Sequence, residues 1–385
     1  VRRTGEEYDA RNQSPYRRFG STHDRAAEIL ADSFAGLATI GRKTGGNEMN
    51  MFRLTLLAAL LLGTQLAPAQ TSAPLKLAAK YEMPASVKGR FDHLGMDPGG
   101  NRLFVVAEEA GEVLVFDLGT GKFVRSIKVE HPHAVLYRED LQRIYVTDEG
   151  KGVVNIYDGK TYDLVKAVQL KVDTDSIGYD PATHYLYVDN GGDNAHEPFT
   201  MLSVVDTTAG AKLADIKIDG DTLEAMALEK SGDRLFLNNP AKTEVEVIDR
   251  KANKLLTAWP VKMGKGNATM AFDESAHRLF VGCRSGVIVV FDSQSGKELQ
   301  ALPVGRGVDD LMFDSASKRI YATSGGAGVV NVYKESDADH YQSLGNVPSG
   351  PAAKTGLLAA SLSRLFVPVP PRGTSPGEVY VYQMQ

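Results

Sequence analysis

One pattern constrains this chain more than any other: an Arg-apolar-aromatic triplet that returns at nearly even intervals. It reads RLF at Arg102, RIY at Arg143, RLF at Arg234, RLF at Arg278, RIY at Arg319 and RLF at Arg364, with YLY at Tyr185 in the same phase. The spacings are 41, 42, 49, 44, 41 and 45 residues. A second signature follows most triplets: VFD ending at Asp117, IYD at Asp158, VVD at Asp206, VID at Asp249, VFD at Asp292 and VYK at Lys334. Each unit then holds about four short runs rich in Val, Ile, Tyr and Phe, separated by Gly and Lys turns, and no ten-residue segment keeps a 3.6-residue period. Four strands repeating every 40 to 50 residues make a propeller blade. The triplets count to seven, so the expected fold is all-β, a seven-bladed β-propeller of four-stranded blades.

The last unit lacks an outermost strand, because after Arg364 only the runs around Leu365 to Val369 and Val379 to Tyr382 remain. A surplus strand exists at the other end, LKLAAKYEMP from Leu75 to Pro84. The expected closure pairs it with Val379 to Tyr382, so that the ring has no open edge.

Ahead of the repeats, Arg53, the apolar run Leu54 to Leu62 and the small-residue site Ala67-Pro68-Ala69 read as a signal peptide. The run is too short and too broken for a membrane span. The expected organisation is therefore a non-native or disordered extension over 1–48, a signal peptide over 49–69 with translation starting at Met49 or Met51, and one propeller domain over 70–385. Cleavage near Ala69 delivers the protein to the periplasm or the medium. Cys283 is the single cysteine, so neither an internal disulfide nor a lipidated amino-terminal cysteine is available.

The chain carries 43 Lys and Arg against 48 Asp and Glu; beyond Ala69 the balance is 34 against 41. An acidic surface works against nucleic acid held by counterion release. The partner expected is a small ligand or a protein, and the chain is expected to act as a monomer with no membrane span once processed.

The string YVTD at Tyr145-Val146-Thr147-Asp148 differs by one residue from the YVTN string that names a family of bacterial propellers often called YncE-like. The resemblance runs over Leu75 to Gln385. It implies an exported seven-bladed ring of largely unknown role. One member is reported to bind single-stranded DNA, an activity that the acidic balance argues against here. Related propellers include lactonases, so fold alone does not choose a function.

Aligning the blades on the triplet gives a candidate site. Ten positions before it stand Asp92, His133, Asp175, Glu224, Ala268, Asp309 and Lys354, six of seven being ionisable. His93 and Asp310 follow in the next column, and Asn267 stands beside Ala268. In a propeller this column begins the inner strands at one mouth of the channel. So many carboxylates at low dielectric need an offsetting cation, a shared proton or Lys354. Asp92, Asp175, Glu224 and Asp309 suit a divalent cation, the one cofactor these residues suggest, while His93 and His133 shift the choice toward a transition metal. The loop Asp189 to Thr200 adds Asn190, Asp193, Asn194 and His196 near the same mouth. The Pro-rich arch Pro368 to Gly377 presents Arg372 to solvent.

Three functions compete on this reading. The first is a binding module working through an acidic channel mouth. The second is a metal-dependent hydrolase of lactone or ester type using the same carboxylates, with His93 or His133 moving protons. The third is a scaffold. No CxxCH, CxxC or GxSxG motif occurs, and Trp259 is the only tryptophan, which removes c-type haem, zinc knuckles, serine-hydrolase elbows and the tryptophan-rich propeller classes.

Overall fold

A computed structural model describes residues 73–385. The expected extension, signal peptide and cleavage site lie outside the described residues. Over 73–385 the chain forms seven antiparallel sheets of four strands each. The only helical segments among the described residues are two 3-10 turns, Asp193–Ala195 and Ala360–Leu362. No helix there is long and apolar enough to cross a membrane.

Blades one to six are contiguous meanders, exemplified by Leu94–Asp97, Arg102–Ala107, Glu112–Asp117 and Phe123–Lys128 in blade one. Blade seven takes its outermost strand from the start of the chain: Leu75–Glu82 pairs antiparallel with Glu378–Met384, Leu77 opposite Tyr382 and Tyr81 opposite Val379. The expected closure is present and three residue pairs longer than the sequence marks it, reaching Glu378 at one end and Gln383 and Met384 at the other. Tyr81 seals the seam by donating its hydroxyl to the Leu118 carbonyl of blade one at 2.8 Å.

The core is distributed. Seven apolar clusters occupy the seven interfaces between blades; one packs Phe104, Val106 and Ile127 of blade one against Ile144 and Val146 of blade two, another packs Phe116 against Tyr81 and Phe366 across the seam. Strand residues alternate between the two faces of a blade, and both faces are buried against neighbours. The second and third strands are therefore almost continuously apolar.

Both recurring signatures turn out to hold this ring together. The triplet arginine reaches into the next blade: Arg234 donates to the Ser293 carbonyl of blade five at 2.6 Å, Arg278 to the Ala338 carbonyl of blade six at 2.9 Å, and Arg102 to Gly159 of blade two. The aspartate of the second signature caps the turn between third and fourth strands. Asp158 Oδ1 accepts from the Lys160 and Thr161 amides at 2.9 and 3.0 Å, and Asp249 Oδ1 accepts from Lys251 and Ala252 at 2.9 and 2.8 Å. Blade six, where Lys334 replaces the aspartate, extends its third strand to Val329–Asp337, and Asp337 takes over the turn by accepting from the Asp339 amide.

Candidate functional site

Each innermost strand starts at the same mouth of the channel, and the loops between second and third strands rise around it. Every blade sends a charged side chain to a cavity of about 110 Å³ on the axis: Asp92, His93 and Glu108 from blade one, then His133, Asp175, Glu224, Arg284, Asp309 and Lys354. Arg90, just ahead of blade one, completes the rim. Blade five is the informative case. Its inner column holds Ala268, and the gap is filled by Arg284 from the adjoining loop.

The offsetting charge that the carboxylates require is supplied by the protein. Arg284 Nη1 lies 2.7 Å from Glu224 Oε1, and its Nη2 lies 2.8 Å from Asp309 Oδ1. Lys354 Nζ sits 2.7 Å from Asp309 Oδ2 and 3.6 Å from Asp92 Oδ1. His133 Nδ1 meets Asp92 Oδ2 at 2.8 Å and faces Asp175 Oδ1 at 3.3 Å, while its Nε2 meets Glu149 Oε2 at 3.0 Å. The mouth is thus a chain of alternating charge, Glu224–Arg284–Asp309–Lys354–Asp92–His133–Asp175, whose two ends, Asp175 and Glu224, are carboxylates with no cation between them, rather than a bare acidic ring.

This chain of charges sets the protonation states. Burial alone would lower the pKa of His133, but hydrogen bonds to Asp92 and Glu149 and the field of Asp175 override it and lift it to about 11. His93 is raised well above its ordinary value in the same way: burial opposes its charge, and Asp310 at 3.2 Å and Asp92 outweigh burial. For Asp92 burial favours the neutral form, yet His93, the bond from His133 and Lys354 hold its carboxyl below the usual range. Glu224 goes the other way: burial pushes it up to about 7, with Arg284 only partly countering. Burial also raises Asp175, against the pull of His133.

Beneath the mouth the channel changes character. A chamber of about 260 Å³ is walled by Leu94, Val135, Ile177, Met226, Met270 and Leu311, with the Ser176 and Thr269 positions polar. His93 and Asp310 line it from above, and Asp310 is fixed by the Gly356 amide at 2.8 Å.

The structure brings eight of the ten residues singled out in the sequence to the axis, Asn267 and His196 being the exceptions. Asp92, His93, His133, Asp175, Glu224, Asp309 and Lys354 line the mouth, and Asp310 lies just below. Asn267, at the start of the inner strand of blade five, is turned between blades four and five, donating to Asn238 Oδ1 at 3.1 Å and to the Glu244 carbonyl at 2.9 Å. His196 is exposed, in the left-handed conformation that ends the 3-10 turn. The residue of that loop that reaches the mouth is Asn194, whose Nδ2 donates to Glu149 Oε1 at 2.5 Å and Asp173 Oδ1 at 2.8 Å. Among the four carboxylates suggested for a cation, Glu224 and Asp309 are engaged by Arg284. The donor atoms lying within 4.8 Å of one another belong to Asp92, His133 and Asp175.

Four residues escaped the sequence reading, Arg90 at the rim among them. Glu108, Glu149 and Arg284 all stand six positions after their triplets, a column that the same alignment holds in register. Reading that column beside the first would have found the second ring of the mouth.

Comparison with known proteins agrees with this architecture. The chain is 34% identical over 98 residues to the uncharacterised protein YncE of Salmonella typhi, covering 26% of this chain and 28% of that protein. It is 33% identical over 98 residues to YncE of Salmonella typhimurium, with the same coverage. The match thus spans little more than a quarter of these relatives. No family model matches the chain. Among solved structures, hydrazine synthase of Kuenenia stuttgartiensis superposes with a TM-score of 0.62 at 16% identity, over 73% of this chain and 94% of that one. A chain of the mitotic checkpoint complex superposes with a TM-score of 0.67 at 12% identity, over 90% and 99%. At such identities these two speak for the fold alone. The seven four-stranded blades make this chain a seven-bladed β-propeller that is similar, over the shared 98 residues, to YncE.

Proposed function

We propose that this propeller is an exported binding module that captures a small zwitterionic ligand with a short apolar body, its charged head in the mouth and its body in the chamber below. The observation that carries the reading is the axial cavity to which all seven blades contribute a charged group, next to a larger chamber whose wall mixes apolar side chains such as Leu94, Met226 and Met270 with polar ones. The chamber's 260 Å³ lies near the lower end of ligand pockets, roughly 300 Å³. A nucleotide exceeds such a space, and a macromolecular segment would need an open groove. A ligand carrying both charges can join the chain of charges by matching Arg284 and Lys354 with its anion and Glu224 or Asp175 with its cation, leaving no buried charge alone.

The hydrolase alternative asks His93 or His133 to accept protons. Both rings are held as imidazolium by the carboxylates around them, which favours binding over base catalysis.

Thermal unfolding in the presence of glycine, leucine, methionine, phenylalanine, a dicarboxylate and a polyamine tests the proposal. Leucine, methionine or phenylalanine should raise the melting temperature more than glycine, with about 2.7 kcal/mol of stabilisation at a hundredfold excess over Kd. Arg284→Gln should remove the effect. Equal stabilisation by glycine, or stabilisation by the dicarboxylate or polyamine alone, would refute the two-part ligand.

A further inference from the structure

We propose that Asp92, His133 and Asp175 form a mononuclear site for a divalent transition metal of the zinc type, at the blade one to blade three side of the mouth. The inference rests on the reading of the mouth as a binding site and adds a ligand of different chemistry to it.

The geometry comes first. His133 Nδ1 lies 2.8 Å from Asp92 Oδ2 and 3.3 Å from Asp175 Oδ1. Around a tetrahedral zinc with His and carboxylate bonds of about 2.0–2.1 Å, neighbouring donors stand about 3.3 Å apart. The His133–Asp175 pair already matches that spacing, the His133–Asp92 pair is about half an ångström shorter, and the three donor atoms all lie within 4.8 Å of one another. The fourth corner of the tetrahedron opens on the mouth cavity, where water or the head of a bound ligand completes the shell.

A second observation is independent of these distances. Asp175 Oδ1 is shut off from solvent and receives no hydrogen bond. An oxygen shut off from solvent without a donor is costly unless a cation or water meets it, and this one belongs to the same cluster as the other two donors. The one cation that faces it is His133, 3.3 Å away, whose Nδ1 proton the metal would replace, while Arg284 is committed to Glu224 and Asp309 and Lys354 sits closer to Asp309 than to Asp92.

The surroundings also suit a metal. The far nitrogen of the imidazole, His133 Nε2, is bonded to Glu149, and Glu149 is held in turn by Asn194 from the long loop of blade three. A carboxylate on the far nitrogen fixes the ring and its tautomer and leaves Nδ1 for the metal. One imidazole and two carboxylates favour zinc, cobalt or manganese over calcium, which prefers six or more oxygens. Binding is an exchange: the dication takes the place of the Nδ1 proton, forming a metal–nitrogen bond and releasing one proton to solvent.

The test uses the protein freed of any affinity tag and of metal by chelator. Co²⁺ is titrated with visible absorption as the readout, and Zn²⁺ by calorimetry in two buffers of different ionisation enthalpy. The expected result is one equivalent bound, tetrahedral cobalt bands and about one proton released. Asp175→Asn, which removes no hydrogen bond, and His133→Ala should each abolish the bands. Glu149→Gln should weaken binding roughly 10- to 100-fold while leaving the bands in place. Glu224→Gln should change affinity by less than about threefold, since Glu224 serves Arg284. Absence of saturable binding, or binding that survives Asp175→Asn, overturns the site. Circular dichroism of each variant separates a lost site from a lost fold. If zwitterions still stabilise the metal-free protein while cobalt does not bind, the metal site fails and the binding function stands; if neither acts, both fail.

Discussion

Glu224 shows how a single mouth residue trades stability for a charged site. Its carboxyl is buried and raised to about 7, against an unfolded value of 4.5. Between these values the folded chain keeps a proton that the unfolded chain has lost. Stability therefore falls as pH rises through that window and stays lower above it. Glu224→Gln removes the titration while keeping an oxygen for Arg284. At pH 8 the variant should be more stable than the parent by up to about 3 kcal/mol, and below pH 4 the two should converge. Melting curves from pH 4 to 8 check this, and a constant difference across the range would contradict it. The residue scale is also where the sequence spoke least evenly. The inner column was legible because a fixed offset from the triplet puts the same strand position at the axis in every blade. Arg284 was not, because its side chain travels from a loop to fill the space left by Ala268, and that reach depends on the small residue as much as on the arginine. Asn267 shares the strand start, yet the pleat sends its side chain between blades, a difference of one residue that flips the face.

At the scale of the element, the triplet arginines are tie-rods between blades, and their roles differ according to what each one reaches. Arg234 is only partly exposed, pairs with Glu229 in its own blade and donates to Ser293 in the next. Arg143 bonds only inside its own blade, to Asp158 and the Gln142 carbonyl, because the shorter-range work between blades two and three is done by Tyr145, which donates to the Thr207 carbonyl at 2.6 Å. Arg234→Ala should therefore cost about 1.5–3 kcal/mol, the range for a charge-assisted hydrogen bond whose partners stay buried. Arg143→Ala should cost about 0–1 kcal/mol, as a half-exposed pair within one blade does. Urea unfolding of both variants measures the contrast, and equal losses would show that the arginines act through charge in general rather than through the blade they reach. The motif was legible as a repeat long before its purpose was. Periodicity marks a position shared by all blades, whereas which neighbour a side chain bonds is set by packing across an interface of residues 60 or so positions away.

The whole molecule depends on one seam. Blades joined in a line resemble a solenoid, in which each unit leans on its neighbours and ends can fray; a closed ring gives every blade two neighbours. Here closure rests on Leu75–Glu82, whose register with Glu378–Met384 buries Leu75 and Tyr81 and carries the Tyr81 hydroxyl to blade one. This was readable in the sequence because blade seven was one strand short and the chain began with one to spare. Removing residues 73–83 leaves Glu378–Met384 as an open edge with unpaired amides and carbonyls, and uncovers the cluster around Phe116 and Phe366. The shortened protein should unfold with a lower urea midpoint and a smaller m value, since blades next to the gap come apart ahead of the rest. It should also self-associate through the bare strand, which light scattering would detect. A synthetic peptide of residues 73–84 added in trans should restore both the midpoint and the monomer, because it returns the same hydrogen bonds and the same buried tyrosine. A shortened protein that keeps the parent's midpoint and m value would mean that six interfaces suffice and the seventh is decoration. The mouth makes that improbable on physical grounds, since Asp92 of blade one and Lys354 of blade seven face each other across this seam, and their link with Asp309 exists only while the ring is shut.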